Sequence, residues 1–197
     1  MKWSNDQIEI SSTPPGIVIR TYCECDREAL KSALMSLTEE IYTDQKLDEI
    51  ILKKDGVRPE GVFLAEMCTS SSLTNVTNDS QKSKIAGEIV GTTTGYFNKD
   101  GNSGTIHMVS VLDKAQGMGL GKILCQHAMH YLIINGCKEI VLTTDDHRLP
   151  AIKTYLNLGY VPVISGLHTG QPIDEDMIKR WKDVYSKLNL QWKELLI

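Results

Sequence analysis

Two periods alternate along the chain: short apolar runs of period two, and longer stretches in which apolar residues recur every three or four positions. After Pro14-Pro15, residues 16–22 (GIVIRTY) read as a strand. Asp26 then stands as the cap of a helix that carries Leu30, Ala33, Leu34 and Leu37 on one side. Asp44 begins a second helix with Leu47, Ile50 and Ile51, which Gly56 and Pro59 end. Residues 62–67 form the next strand, and residues 69–84, rich in Ser, Thr and Asn, read as a loop. Strand character returns over 85–97 (IAGEIVGTTTGYF), turns at 98–102 and resumes over 105–112 (TIHMVSVL). Leu120, Ile123, Leu124, Ala128 and Tyr131 mark a long helix, and 138–144 (KEIVLTT) a further strand. Pro150 opens another helix and Gly159 stops it; a short strand near 161–164, a loop over 165–172 and a helix over 174–188 follow. Met177, Ile178, Trp181, Val184 and Tyr185 give that last helix its apolar side.

Between the 105–112 strand and the long helix lies Gln116-Gly117-Met118-Gly119-Leu120-Gly121-Lys122. A strand, a glycine turn and a helix together present unpaired N–H groups and the positive end of a helix dipole to an anion. Glycines remove the Cβ atoms that would keep a diphosphate from the backbone. A Walker A loop fails here, because Gln116 takes its first glycine position and Ile123 its hydroxyl position. A dinucleotide fingerprint starting at Gly117 fails at Lys122. The pattern that fits is [RQ]-x-x-G-x-[GA], on Gln116, Gly119 and Gly121.

That pattern resembles motif A of the GNAT N-acetyltransferases. The downstream block A-x-x-x-Y-x-x-x-G-[FY] resembles theirs as well, with Ala151, Tyr155, Gly159 and Tyr160 in that spacing. The specific motifs cover about residues 85–163, and residues 17–84 agree only in element order. The resemblance implies one α/β domain over 1–197, with a twisted mixed β-sheet of six or seven strands flanked by helices. It implies acetyl-CoA as cosubstrate, no metal, and transfer of acetyl to an amine by direct attack in a ternary complex. Val109, Ser110 and Val111 would run beside the pantetheine arm. Gln116, Gly117, Met118, Gly119, Leu120, Gly121 and Lys122 would hold the pyrophosphate. Arg148 stands where the family often has Asn three residues before the alanine of the tyrosine block, and could reach a phosphate or an acceptor carboxylate.

The resemblance also gives Tyr155 the protonation of the departing thiolate; a core aromatic is the plainer alternative. His107 lies four residues before Val111, where aralkylamine acetyltransferases carry a histidine, and is the candidate general base. Its alternative is a hydrogen-bonded structural histidine. On parity it shares a face with Val109 and Val111 unless a bulge intervenes. Glu88 is the reserve base. His127 and His130 stand three apart on one helix, without a third ligand at useful spacing.

Composition trims the remaining classes. A hydrophobic share of 41% over 197 residues describes a folded globule with a sizeable core. A net charge of −4 argues against nucleic acid as main partner. The five cysteines form no CxxC pair, so reduced thiols in a cytoplasmic protein are expected. Neither a secretory signal nor an apolar run of membrane-spanning length is expected from the letters. The rival reading is a non-catalytic acyl-CoA binding or sensing module. The acceptor, a small-molecule or peptide amine, is left open; it would be chosen around Tyr42, Asp44 and Gln45 and by the 165–172 loop with His168. Oligomeric state also stays open, a homodimer included.

Overall fold

The computed structural model describes residues 1–5, 7–38, 40–68, 87–164 and 174–192, without the side chains of Leu37 and Thr38. The fold is α/β, a mixed six-stranded sheet flanked by helices. Its strands are β1 (Lys2–Trp3), β2 (Ile17–Thr21), β3 (Val62–Met67), β4 (Glu88–Phe97), β5 (Ser103–Val111) and β6 (Glu139–Val141). Its helices are α1 (Arg27–Thr38), α2 (Asp44–Leu47), α3 (Leu120–Ile134), α4 (Leu149–Asn157) and α5 (Glu175–Lys187). The 69–84 and 165–172 loops, with His168, lie outside the described residues. Two compact units make up the chain, Asn5–Ile140 and Met1–Ser4 with Val141–Ile197.

In the larger unit, β2, β3, β4 and β5 pair antiparallel in sequence order. Side chains alternate between two covered faces. On one, Val62, Leu64 and Ile89 join Leu30 and Leu34 of α1 with Leu47 and Ile51 in a buried cluster. On the other, Phe63 meets His127 and Tyr131 of α3 with ring centroids 5.8 and 6.1 Å apart. The approach of α3 is close: a Cβ on Gly95 would lie 3.2 Å from the Ala128 carbonyl oxygen. The second predicted helix is α only over Asp44–Leu47 and continues as a π turn, Asp48–Leu52.

Asp26 is not the simple helix cap that the sequence suggests. It closes a 3₁₀ turn, Glu24–Asp26, ahead of α1. Its buried carboxylate accepts from the Cys23 N–H at 2.9 Å and from both terminal nitrogens of Arg20 at 2.7 and 2.9 Å. Arg20 Nε donates to buried Glu66 at 2.5 Å, and Glu66 also accepts from the Gly87 N–H at 2.7 Å. One guanidinium thus ties β2, β3 and the approach to α1. Its charge is held above the ordinary arginine range, first by the bond to Asp26. A second correction concerns the thiols: Cys23 and Cys25 are joined as a disulfide, while Cys68, Cys125 and Cys137 are free.

In the smaller unit, Lys2 and Val161 exchange backbone hydrogen bonds at 2.9 and 2.8 Å, and the Leu142 N–H donates to the Met1 carbonyl at 3.0 Å. The strand expected at 161–164 is only this bridge. Helix α4 ends at Gly159 (φ 89°), as the letters suggest. Helix α5 is capped by Asp174, which accepts from the Met177 N–H at 2.9 Å, and buries Val184. Among the described residues no helix is long and apolar enough to cross a membrane.

Removing Arg20 leaves two buried carboxylates without their shared cation, a loss that breaks buried pairs rather than trimming a surface one. Arg20→Ala should cost about 3 kcal/mol of unfolding free energy. Arg20→Lys should recover only part of it, because an ammonium cannot fork to two acids. Urea denaturation measures both, and a loss in Arg20→Ala under about 0.5 kcal/mol would show that solvent satisfies the acids instead.

Candidate active site

In the larger unit, β5 leads through a 3₁₀ turn, Asp113–Ala115, into the glycine turn and α3. The Gln116 side-chain amide donates to the Asp113 carboxylate at 2.8 Å and to the Val111 carbonyl at 3.3 Å, pinning the turn to the strand end. Gly117 and Gly119 sit at φ 77° and 78°, the left-handed region that disfavours a side chain. Gly119 is the N-cap of α3 and offers no side-chain cap. Ile123 is the first residue to reach back along the helix, to the Gly119 carbonyl at 3.2 Å. The N–H groups of Leu120, Gly121 and Lys122 therefore have no helical acceptor. The first turn holds no acidic residue, and a Cβ on Gly117, Gly119 or Gly121 would meet nothing within 4 Å. Leu120 is buried as the anchor, Met118 is half-buried and Lys122 is exposed. These residues fit a diphosphate.

Upstream, the register of β4 and β5 slips. Thr92 faces Ser110 and Thr94 faces His107, so Met108 and Val109 together oppose Thr93. Met108 adopts φ 53° at this bulge. The extra residue breaks the parity expected of His107, Val109 and Val111. Val111 pairs with Gly91, whose Cβ direction points at Leu124 of α3. Met108 instead packs on the cluster of α1 and the π turn, and the Ile50 carbonyl of that turn accepts from the His107 ring.

Nε2 of His107 is buried and reaches no partner. A neutral imidazole can take a proton at the ring nitrogen that carries none. Burial, and next the Lys54 cation, push the imidazole below its ordinary 6.5, while the Ile50 bond opposes them. The Tyr96 ring stands edge-on to His107 at 6.0 Å, with Lys54 Nζ 5.3 Å from its centroid. Glu88 begins β4, exposed and ion-paired with Lys114. His127, also pushed down by burial, packs against Phe63. Cys125 is fully buried and its thiol is pushed up to about 12, so it makes no thiolate nucleophile near neutrality.

In the smaller unit, Tyr155 is buried in α4, its ring 6.1 Å from that of Tyr160. Its carbonyl accepts from the Tyr160 N–H at 3.0 Å. Arg148 precedes α4, exposed and paired with Asp145 at 3.0 Å. The structure thus brings His107, residues 109–111 and the glycine turn into one unit, and Tyr155 with Arg148 into the other. The letters alone do not point to Ile50, Lys54 and Thr94 around His107; the one visible signal was the polar run Thr92-Thr93-Thr94 inside an otherwise apolar strand.

A family model described as Acetyltransferase (GNAT) family matches residues 33–160. The mycothiol acetyltransferase of Corynebacterium jeikeium (strain K411) is 38% identical over 58 residues, covering 29% of this chain and 17% of that protein. The chain therefore spans about a sixth of that curated relative's length. A GCN5-related N-acetyltransferase from Sphaerobacter thermophilus superposes with TM-score 0.60 at 24% identity, over 80% of this chain and 45% of that one. A solved NatC complex bound to Gag peptide and CoA gives TM-score 0.55 at 20% identity, over 75% and 86% of the two chains. The two superpositions establish the shared fold.

Because burial outweighs the cation in lowering His107, Lys54→Ala should raise its titration point while leaving it below 6.5. An NMR titration of the ring measures this, and a His107 that titrates above 6.5 in the unmutated protein would contradict the buried, cation-facing site.

Proposed function

The chain belongs to the acetyltransferase (GNAT) family, and from that premise we propose that it transfers acetyl from acetyl-CoA to an amine of a small molecule or peptide. The carrying observation is the glycine turn at the start of α3, with its unpaired amides, its acid-free first turn and its open Cβ space. The acetyltransferase names of its relatives and the CoA bound in the NatC complex support the same reading.

Acetyl-CoA supplies a thioester acyl group already activated for transfer. The amides of Gln116–Lys122 hold its pyrophosphate, Lys122 adds a cation, and residues 109–111 offer backbone along the pantetheine arm. Arg148 serves a phosphate or an acceptor carboxylate, exchanging its contact with Asp145. Attack is direct, in a ternary complex, consistent with a Cys125 thiol too weakly acidic to carry the acyl group. Tyr155 gives its phenolic proton to the departing sulfur; a phenol near pKa 10 and a thiol near about 8.5 are well matched for this. His107 receives the proton that the amine loses. No metal takes part in this scheme.

Gly121 gives the cleaner test of the loop, because a side chain at Gly119 would strain a left-handed backbone as well as crowd a ligand. Gly121→Ala, which stays inside the family pattern, should bind acetyl-CoA nearly as well as the parent. Gly121→Leu should fold, since leucine suits a helix, but bind at least about tenfold more weakly, or 1.4 kcal/mol. Calorimetry that shows equal affinity for both would remove the pyrophosphate assignment.

Tyr155→Phe should lower kcat by about 10² or more and change acetyl-CoA affinity little. His107 acts only when neutral, so kcat/KM should fall as pH drops through an apparent pKa below 6.5. His107→Gln should lose that limb and slow the neutral-pH reaction, with a smaller deficit at high pH where free amine is abundant. A folded parent enzyme that binds acetyl-CoA but turns over no amine in a broad panel would favour the sensing-module reading.

A further inference from the structure

Two polar atoms beside the bulge are sealed from solvent and reach no hydrogen-bond partner: Thr94 Oγ1 and His107 Nε2. They belong together, since Thr94 and His107 are register partners across β4 and β5. Partners directly opposite in an antiparallel pair point to one face, with Cβ atoms about 4.5–5.5 Å apart. Neighbouring Gly95 faces α3, so Thr94 and Tyr96 face the other way, toward the π turn. The Tyr96 ring against His107 marks the same face.

Buried polar groups are almost always satisfied, and a small polar void with two to four partners takes an internal water. An imidazole nitrogen that carries no proton offers a lone pair, while a threonine hydroxyl both donates and accepts. A base whose accepting atom is shut off from solvent also needs an intermediary to meet an amine. We propose that Thr94 is a positioning residue for His107: its hydroxyl and Nε2 hold one internal water, and that water relays the acceptor's proton to the ring. In the step the amine N–H proton passes to the water oxygen as one of the water's own protons passes to Nε2. The water is regenerated and the imidazole becomes cationic; the nitrogen's lone pair forms the bond to the acyl carbon, the pair of the lost N–H bond stays on nitrogen, and the C–S bond breaks as Tyr155 protonates the sulfur. The relay rests on the acetyl-transfer reading; the shared water does not.

The charged and titratable groups around the ring are few. Lys54 and Tyr96 face it. On the π turn, Asp48 is held by Arg27 at 2.9 Å and Lys53 at 2.6 Å, and Glu49 accepts from Gln45 at 3.1 Å.

The test compares Thr94→Val, nearly the same shape without the hydroxyl, with Thr94→Ser, which keeps it. Without the hydroxyl the water loses a partner and solvates the imidazolium less well. In Thr94→Val the NMR titration of His107 should move down by about half a pH unit or more. Its kcat should fall about tenfold or more, with the KM for amine within about twofold. Thr94→Ser should restore both. If Thr94 is only a β-branched core filler, Thr94→Val will leave the titration and kcat unchanged, and the inference falls while a lost acidic limb in His107→Gln keeps the base assignment. If His107→Gln instead keeps the parent pH profile, the relay falls with the base assignment, whatever the Thr94 titrations show.

Discussion

One extra residue in β5 sets the terms for the rest of the site. If β5 paired evenly with β4, His107, Val109 and Val111 would share a face, and the imidazole would pack under α3 with Val111. The bulge at Met108 divides the strand. On one side His107 turns to the π turn, whose Ile50 carbonyl favours its protonated form against burial and Lys54. On the other, Ser110 and Val111 return to regular pairing and run into the glycine turn. A non-glycine residue at positive φ is costly, and such strain persists where surrounding structure enforces it. Here the apolar cluster that receives Met108 supplies the enforcement.

The parts legible in the sequence were those where backbone chemistry leaves little choice. Gly117 and Gly119 adopt the left-handed conformation that a tight strand-to-helix turn demands, and Gly159 the one that stops α4. Strand β3 matches its expected span because its apolar run, tucked between two faces, is bounded on both sides. What was missed depends on contacts distant in sequence. The bulge reads as ordinary alternation until β4 is laid beside it. Across α2 and the π turn, Leu47, Ile50 and Ile51 stand at a spacing that suits an α-helix equally well. Asp26 was legible as an acid before a helix, but not as the partner of an arginine on the preceding strand. Strand β1, two residues long, has no periodicity to detect, and a cysteine pair two residues apart gives no familiar signature.

Burial does opposite work at the two polar centres of the larger unit. Around Arg20 it strengthens the ties to Asp26 and Glu66, because all three groups are hydrogen-bonded and the opposite charges sit together. Around His107 the described residues supply no counter-ion; Lys54 is the nearby charge and it repels, and burial disfavours the charged ring further. The first arrangement locks β2, β3 and the start of α1. The second keeps an uncharged imidazole beside the π turn. The same logic silences Cys125, whose thiol burial pushes up, with no cation among the described residues to favour its charged form.

A neutral His107 is always ready near pH 7, but it is a weak base. Drawing a proton from a free-standing alkylammonium of pKa about 10.4 to a ring below 6.5 would cost upward of about 5 kcal/mol. His107 is therefore ill suited to prepare the amine beforehand. The N–H becomes acidic only as nitrogen shares its lone pair with the acyl carbon, and at that stage a ring of low pKa suffices. A base that acts with bond formation rather than before it must be held close to the reacting nitrogen, directly or through one ordered water, at the instant the bond forms. In the scheme proposed for this chain, the enclosed Nε2 and its internal water would serve that requirement. They also mean that rate should favour acceptors whose amines are less basic than lysine, since more of each is already deprotonated when it arrives.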